Sequence, residues 1–110
     1  MIGKNSILET IGETPLIRLQ ELSKELNTNI WGKLEAANPG HSAKDRIAVY
    51  VVRCAEEKGY LKPGGTIIES TSGNTGRSLA MVAALRGYKC IICTTTKISF
   101  EKKAVLEAYG

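Results

Sequence analysis

The chain has 110 residues, 43% apolar and 24% charged, which is room for one small domain with a modest core and argues against a disordered chain. Fifteen basic and 11 acidic residues leave a net charge of +4, but the basic residues are scattered, so nothing here points to nucleic acid. No stretch is apolar over a membrane-spanning length, Met1-Ile2-Gly3-Lys4-Asn5-Ser6 lacks the apolar core of a signal peptide, and three cysteines form no disulfide framework, so the expectation is a cytoplasmic protein without a membrane or nucleic-acid partner.

Along the chain, Gly12-Glu13-Thr14-Pro15 reads as a turn, residues 16–19 as a short strand and residues 20–26 as one or two helical turns. A more regular pattern starts at Asn29. Residues 30–34 read as a strand, and residues 37–41 as a loop. Ser42 is a good helix cap, with Asp45 three residues later in a near capping box. Ile47, Ala48, Val51, Val52 and Ala55 recur at helical spacing and predict one apolar face, and Gly59 stops that helix. Pro63-Gly64-Gly65 is a turn, residues 66–70 a strand, and Thr71-Ser72-Gly73-Asn74-Thr75-Gly76 a polar loop opening onto a second helix. That helix carries Leu79, Val82, Ala83 and Leu85 and ends at Gly87. Residues 89–95 read as a buried parallel strand, and Ser99 caps a last helix reaching Tyr109. Strand and helix thus alternate three times from Asn29, which predicts βαβ units, a parallel sheet, and functional residues in the loops after the strands.

Two such loops carry polar chemistry. In residues 71–76, hydroxyls, an amide and glycines meet a helix N-terminus, whose free N–H groups and partial positive charge suit a carboxylate or phosphate. The spacing is neither that of a P-loop nor that of a dinucleotide fingerprint. A plain strand-to-helix turn capped by Ser72 or Asn74 reads equally well. In residues 38–46, Lys44 falls in the first turn of a helix, where the macrodipole disfavours a cation and favours the neutral amine that attacks carbonyls. A lysine there could also be a solvated surface residue paired with Asp45 or Glu35.

Asn38-Pro39-Gly40-His41-Ser42-Ala43-Lys44-Asp45-Arg46 resembles the lysine motif of the fold-type II pyridoxal-phosphate family, of cysteine synthase and cystathionine β-synthase type. Thr71-Ser72-Gly73-Asn74-Thr75-Gly76 resembles the substrate loop of that family. Ile11-Gly12-Glu13-Thr14-Pro15-Leu16 and residues 59–69 match in order and spacing, and the tail from Arg86 to Lys102 is similar to the cystathionine β-synthase branch and related cysteine synthases. The resemblance implies an α/β fold, the N-terminal part of the three-layer αβα parallel sheet of the tryptophan synthase β-like fold. Residues 1–28 would pack partly on a second domain, and residues 29–110 would carry the cofactor lysine and substrate loop. It further implies pyridoxal 5′-phosphate held by Lys44 as a Schiff base and hydrogen-bonded by Asn74. The substrate carboxylate would be received by Thr71, Ser72, Gly73, Asn74 and Thr75, while Asp45 and Arg46 support structure. The implied reaction is β-replacement on serine or O-acetylserine by a sulfur nucleophile, with a homodimer as the full-length parent.

Some residues depart from the family pattern. His41 stands where the family most often has glycine, and reads either as a local acid or base or as a variant packing in the loop. Thr94-Thr95-Thr96 replaces a segment that often carries proline. Cys90-Ile91-Ile92-Cys93 lies within a strand, so its two thiols point to opposite faces and form neither a redox pair nor a metal site; Cys54, Cys90 and Cys93 are expected as buried packing residues. The family's second domain, which cradles the cofactor phosphate, has no counterpart in these 110 residues, so they are expected to be inactive by themselves. The competing readings are a non-catalytic remnant and, within enzymes, a serine/threonine dehydratase.

Overall fold

The computed structural model describes residues 3–110, so the Met1-Ile2 part of the amino-terminal reading lies outside the described residues. In chain order the elements are β1 (Leu16–Arg18), α1 (Gln20–Glu25), β2 (Trp31–Lys33), α2 (Lys44–Glu57), β3 (Thr66–Ser70), α3 (Asn74–Arg86), β4 (Lys89–Cys93) and α4 (Phe100–Ala108). Single 3-10 turns occupy Ile7–Thr10 and Glu35–Ala37.

The helix boundaries follow local chemistry. The Ser42 hydroxyl accepts the Lys44 N–H at 2.9 Å and starts α2, and Gly59, at φ +72°, takes the chain out of it. Gly87 closes α3 in the left-handed conformation, its N–H donating to the Ala83 carbonyl. The Ser99 hydroxyl accepts from Lys102 N–H at the start of α4.

β3 and β4 pair in parallel, Thr66 opposite Lys89 through Ser70 opposite Cys93, with α3 as the crossover. This is the α/β unit the alternation predicts. β2 does not join it. Trp31–Lys33 instead pairs antiparallel with Leu16–Arg18, and the ribbon is closed by Leu19 N–H to the Ile30 carbonyl and Leu34 N–H to the Pro15 carbonyl. The reason lies in the connection. α1 has six residues and rises only about 9 Å, so it turns the chain back beside β1 and does not carry it across a sheet. The ribbon therefore joins residues on either side of position 28.

The core gathers Ala48 and Val52 of α2 with Leu79 and Val82 of α3, and Leu8, Val49, Leu61, Ile67 and Tyr88 pack around it. α2 and α3 run side by side in parallel. Near their starts the Ser78 hydroxyl donates to Asp45, and near their ends Glu56 accepts from Arg86 and from the Tyr88 hydroxyl. The buried stripe of α2 is Asp45, Ala48 and Val52, not the wider face read from hydropathy: Ile47 and Val51 are 49% and 52% exposed. They sit a quarter-turn from the stripe, and no described element covers them. Leu85 of α3 is likewise exposed.

One face of the parallel sheet is open as well. β3 and β4 both alternate in burial, and Ile68 and Ile91 project from the uncovered side. The accessible surface is 7767 Å², where a compact monomer of this mass exposes about 6,000 Å². The radius of gyration is 16.8 Å, against about 13 Å for a globular chain of this length. The cysteines also differ from expectation: Cys54 and Cys90 are half-buried and Cys93 is exposed, because Cys93 falls on the open face. Burial pushes the Cys90 thiol pKa up. No described helix is long and apolar enough to cross a membrane.

With so small a core, its largest aliphatic member matters most. Leu79→Ala is expected to lower the unfolding free energy by about 2–5 kcal/mol, seen as a lower urea midpoint at unchanged slope. A loss below about 1 kcal/mol would show that this cluster is not what holds the helices together.

Candidate functional site

Because α2 and α3 are parallel, both N-termini emerge at one edge, where β3 and β4 also end. Lys44 is the first residue of α2 and is exposed. Among the described residues its ammonium group has no hydrogen bond or ion pair, and the two carboxylates that could have paired with it are committed elsewhere. Asp45 is fully buried and accepts from the Gly40 N–H and from Ser78. It does not reach back to the Ser42 N–H, so the near capping box does not form. A Cβ at Gly40 would run into the Asp45 carboxylate, so only glycine fits there.

Glu35 is committed to Arg46, whose Nε and Nη2 donate to its two oxygens at 2.9 and 2.8 Å. Arg46 Nη2 also donates to the Gly12 carbonyl and the Thr14 hydroxyl. Asn38, almost wholly buried, donates to Glu35 and to the Ser42 carbonyl and accepts from the Gly12 N–H. This network ties the amino-terminal segment to the loop that presents Lys44. Hydrogen bonding from Arg46, against some desolvation and with help from Thr14 and Asn38, lowers the Glu35 pKa from 4.5 to about 2.

The second loop is less internally satisfied than an ordinary cap. α3 starts at Asn74 with no side-chain cap hydrogen bond; Ser72 and Asn74 stand exposed. Its first N–H groups therefore face outward unpaired by any described side chain, which is the arrangement that receives an anion. Thr71 is anchored, its N–H donating to the Cys93 carbonyl and its hydroxyl accepting the Gly73 N–H. Gly76 is buried where a Cβ would lie 2.7 Å from the Thr71 methyl and 3.2 Å from Ile92, so the loop is seated directly on β4. Thr75 is half-buried beside it.

A cleft of about 430 Å³ lies at the carboxyl ends of β3 and β4, lined by Ser70, Thr71, Ser72, Cys93, Thr94 and Thr95. Thr94 and Thr95 thus share a wall with the substrate-like loop; their position just after the strand was the signal for them. Ser78 was not singled out by the sequence, because a serine inside an apolar helix reads as filler. No group of three histidine, cysteine or acidic side chains among the described residues could hold a metal. A free amine can form a covalent bond to a carbonyl compound, and an open helix N-terminus can bind a carboxylate.

His41 has φ +58°, in the left-handed region, and its Nδ1 lies 3.1 Å from the Ala36 carbonyl. This gives a physical reason for glycine at that position in similar motifs.

Residues 7–110 match the family described as pyridoxal-phosphate dependent enzyme. The chain is 53% identical over 106 residues to O-ureido-L-serine synthase of Streptomyces lavendulae, covering 96% of this chain and 32% of that protein. It is 58% identical over 106 residues to cysteine synthase 1 of Emericella nidulans, covering 96% and 29%, and 56% identical over 106 residues to cystathionine beta-synthase of Apis mellifera, covering 94% and 21%. It therefore spans about a fifth to a third of the length of these relatives. The crystal structure of O-ureido-L-serine synthase superposes with a TM-score of 0.93 at 51% identity, over 99% of this chain and 34% of that one. A lysine-to-alanine mutant of that synthase bound to O-ureido-L-serine superposes at 0.89 with 50% identity, again over 99% and 34%.

Two outcomes follow from the geometry. Glu35 has a lowered folded-state pKa, so its contribution to stability is complete above about pH 4.5 and is lost as the pH falls through about 2. The urea midpoint should fall across that window, and Glu35→Gln should make the fall shallower; parallel slopes would show that the carboxylate carries no pH-linked stability. At His41, replacement by glycine should change stability by less than about 1 kcal/mol, whereas His41→Val should cost about 1–3 kcal/mol. Equal losses for both would mean that the imidazole, not the backbone, matters there.

Proposed function

Because the chain belongs to the pyridoxal-phosphate dependent enzyme family, we propose that its parent reaction is β-replacement on serine or O-acetylserine, with a sulfur nucleophile giving cysteine or a related thioether amino acid. The observation that carries this reading is the Lys44 amine, left without a partner while Asp45 and Glu35 are held by their own networks. The residues present fit the cofactor's reactive end: one free amine for its carbonyl, the Asn74 amide for its ring oxygen, and an open helix start for the substrate.

When bound, pyridoxal phosphate supplies an electron sink for the electrons of the Cα–H bond. The protein supplies the rest. Thr71, Ser72, Gly73, Asn74 and Thr75 receive the α-carboxylate through hydroxyls and backbone N–H groups, and so aim the Cα–H bond. Lys44, once free of the cofactor, removes that proton as general base. Gly76 keeps the loop in place against β4 during binding. The similar proteins named for making cysteine, cystathionine and O-ureido-L-serine all handle amino acids altered at the β-carbon, which supports the reaction class.

The parent is proposed to work as a cytoplasmic homodimer. Exposed Leu16, Ile17, Leu22 and Leu26 support a second domain packing on the segment up to residue 28. The 110 residues alone are proposed to be catalytically silent, since they offer one side of the cofactor site.

The test is reductive trapping. With limiting pyridoxal phosphate and borohydride, peptide mapping should place the label on Lys44 at lower cofactor concentration than on any other lysine. Lys44→Ala should remove that label without moving it to a neighbour. Labelling spread evenly over the lysines would overturn the assignment, and product formation from serine and homocysteine or from O-acetylserine and sulfide by the 110-residue chain would overturn its silence.

A further inference from the structure

β4 is bonded along one edge alone. Lys89 N–H donates to the Gly65 carbonyl at one end of the strand, and Thr71 N–H donates to the Cys93 carbonyl at the other. In a parallel ladder alternate residues turn their N–H and C=O to the same side, so residues 89, 91 and 93 face β3, and Cys90 and Ile92 face away from it. Among the described residues no hydrogen bond outside the ladder uses the backbone of Cys90 or Ile92, and no strand lies beyond them. Such an edge is a template for another strand unless proline, a bulge or charged side chains blunt it. β4 runs in unbroken register with β3, has no proline, and carries its single charge at Lys89, ahead of Cys90-Ile91-Ile92-Cys93.

A groove of about 520 Å³ lies along this edge, between β4 and α4, with Ala80, Ile92, Ile98 and Leu106 in its lining. Lys103 and Glu107 line it too, and their ion pair at 3.6 Å neutralises both. The groove gives room for the side chains of an added strand. The free edge of β3 is less suited to meet its own copy: antiparallel pairing about Ile68 would set Glu69 against Ile67 of the second molecule, whereas residues 90–93 of β4 carry no charge. Surface is also in surplus. The chain exposes 7767 Å², about 1,800 Å² more than a compact monomer of its mass, and a standard interface takes about 800 Å² from each partner.

We propose that the chain pairs with a second copy of itself through this edge, β4 against β4, antiparallel about a twofold axis at Ile91. The strand is self-complementary in that register. Cys90 and Ile92 of one copy stand opposite Ile92 and Cys90 of the other, and each pair exchanges two backbone hydrogen bonds. Ile91 meets Ile91 of the second copy on the open face, with Cα atoms about 4.5 Å apart, as in a non-hydrogen-bonded pair. The two small sheets become one of four strands, and the isologous contact closes on itself. The pairing does not depend on the proposed reaction, and its test uses no cofactor.

Sedimentation velocity of the 110-residue chain under reducing conditions, from micromolar to millimolar concentration, should show a monomer–dimer equilibrium that stops at the dimer. Amide exchange should slow at Cys90 and Ile92 as the dimer fills, while Ile91, already bonded to β3, changes little. Ile91→Lys sets two like charges face to face at the axis and should weaken the dimer at least tenfold. Ile68→Lys, on the same open face but on β3, should leave it nearly unchanged; both side chains are at least half exposed, so the fold tolerates either change. Cys90→Pro removes one outward donor without touching the β3 ladder and should also weaken the dimer; if it does not fold, the two lysine variants decide. A monomer over the whole range, growth beyond the dimer, unslowed exchange at Cys90 and Ile92, or equal weakening by Ile68→Lys and Ile91→Lys would overturn the proposal. None of these signals reports on Lys44 or pyridoxal phosphate, so failure here and failure of the proposed reaction are separate results.

Discussion

A carboxylate and a hydroxyl, both fully enclosed, meet where α2 and α3 touch: Ser78 donates to Asp45, and Gly40 donates to the same carboxylate from the preceding loop. An enclosed carboxylate is tolerated only when its oxygens are hydrogen-bonded. These partners therefore fix three segments relative to one point. At the far end Glu56 repeats the arrangement on Arg86 and Tyr88. Two helices pinned at both ends cannot slide or reverse, so their positive ends open at the same edge. The positions of Lys44 and of the residues 71–76 loop are consequences of that pinning.

The charges around the site are sorted by the same means. Two acidic side chains sit within a few residues of Lys44 or on the loop before it, and both are turned inward. Asp45 reaches Gly40 only because that residue has no Cβ, and Arg46 can lie against Gly12 for a similar reason, Gly12 also having φ +92°. The glycines serve the electrostatics more than chain flexibility. They let carboxylate and guanidinium approach the backbone closely enough to satisfy each other, and the lysine is left facing solvent.

Much of this was legible in the sequence. Ser99 and Gly87 mark helix ends because their chemistry is local, and the polar loop of residues 71–76 falls between a strand and a helix for the same reason. What depends on distant partners was not legible. Residues 30–34 read as a strand, yet nothing in them says that the partner is β1 and the direction antiparallel. Ile47 and Val51 belong to the periodic apolar set of α2, but periodicity does not say which neighbours are present to cover them. Asp45 looks like half of a capping box, and only the fold brings Ser78, 33 residues away, to claim it.

Gly76 has one more consequence. With Thr71 and Ile92 pressed against its backbone, there is no slack between the loop of residues 71–76 and β4. Any residue with a Cβ at position 76 would push the loop off the strand, so the seat of the loop is set by a position that has no side chain.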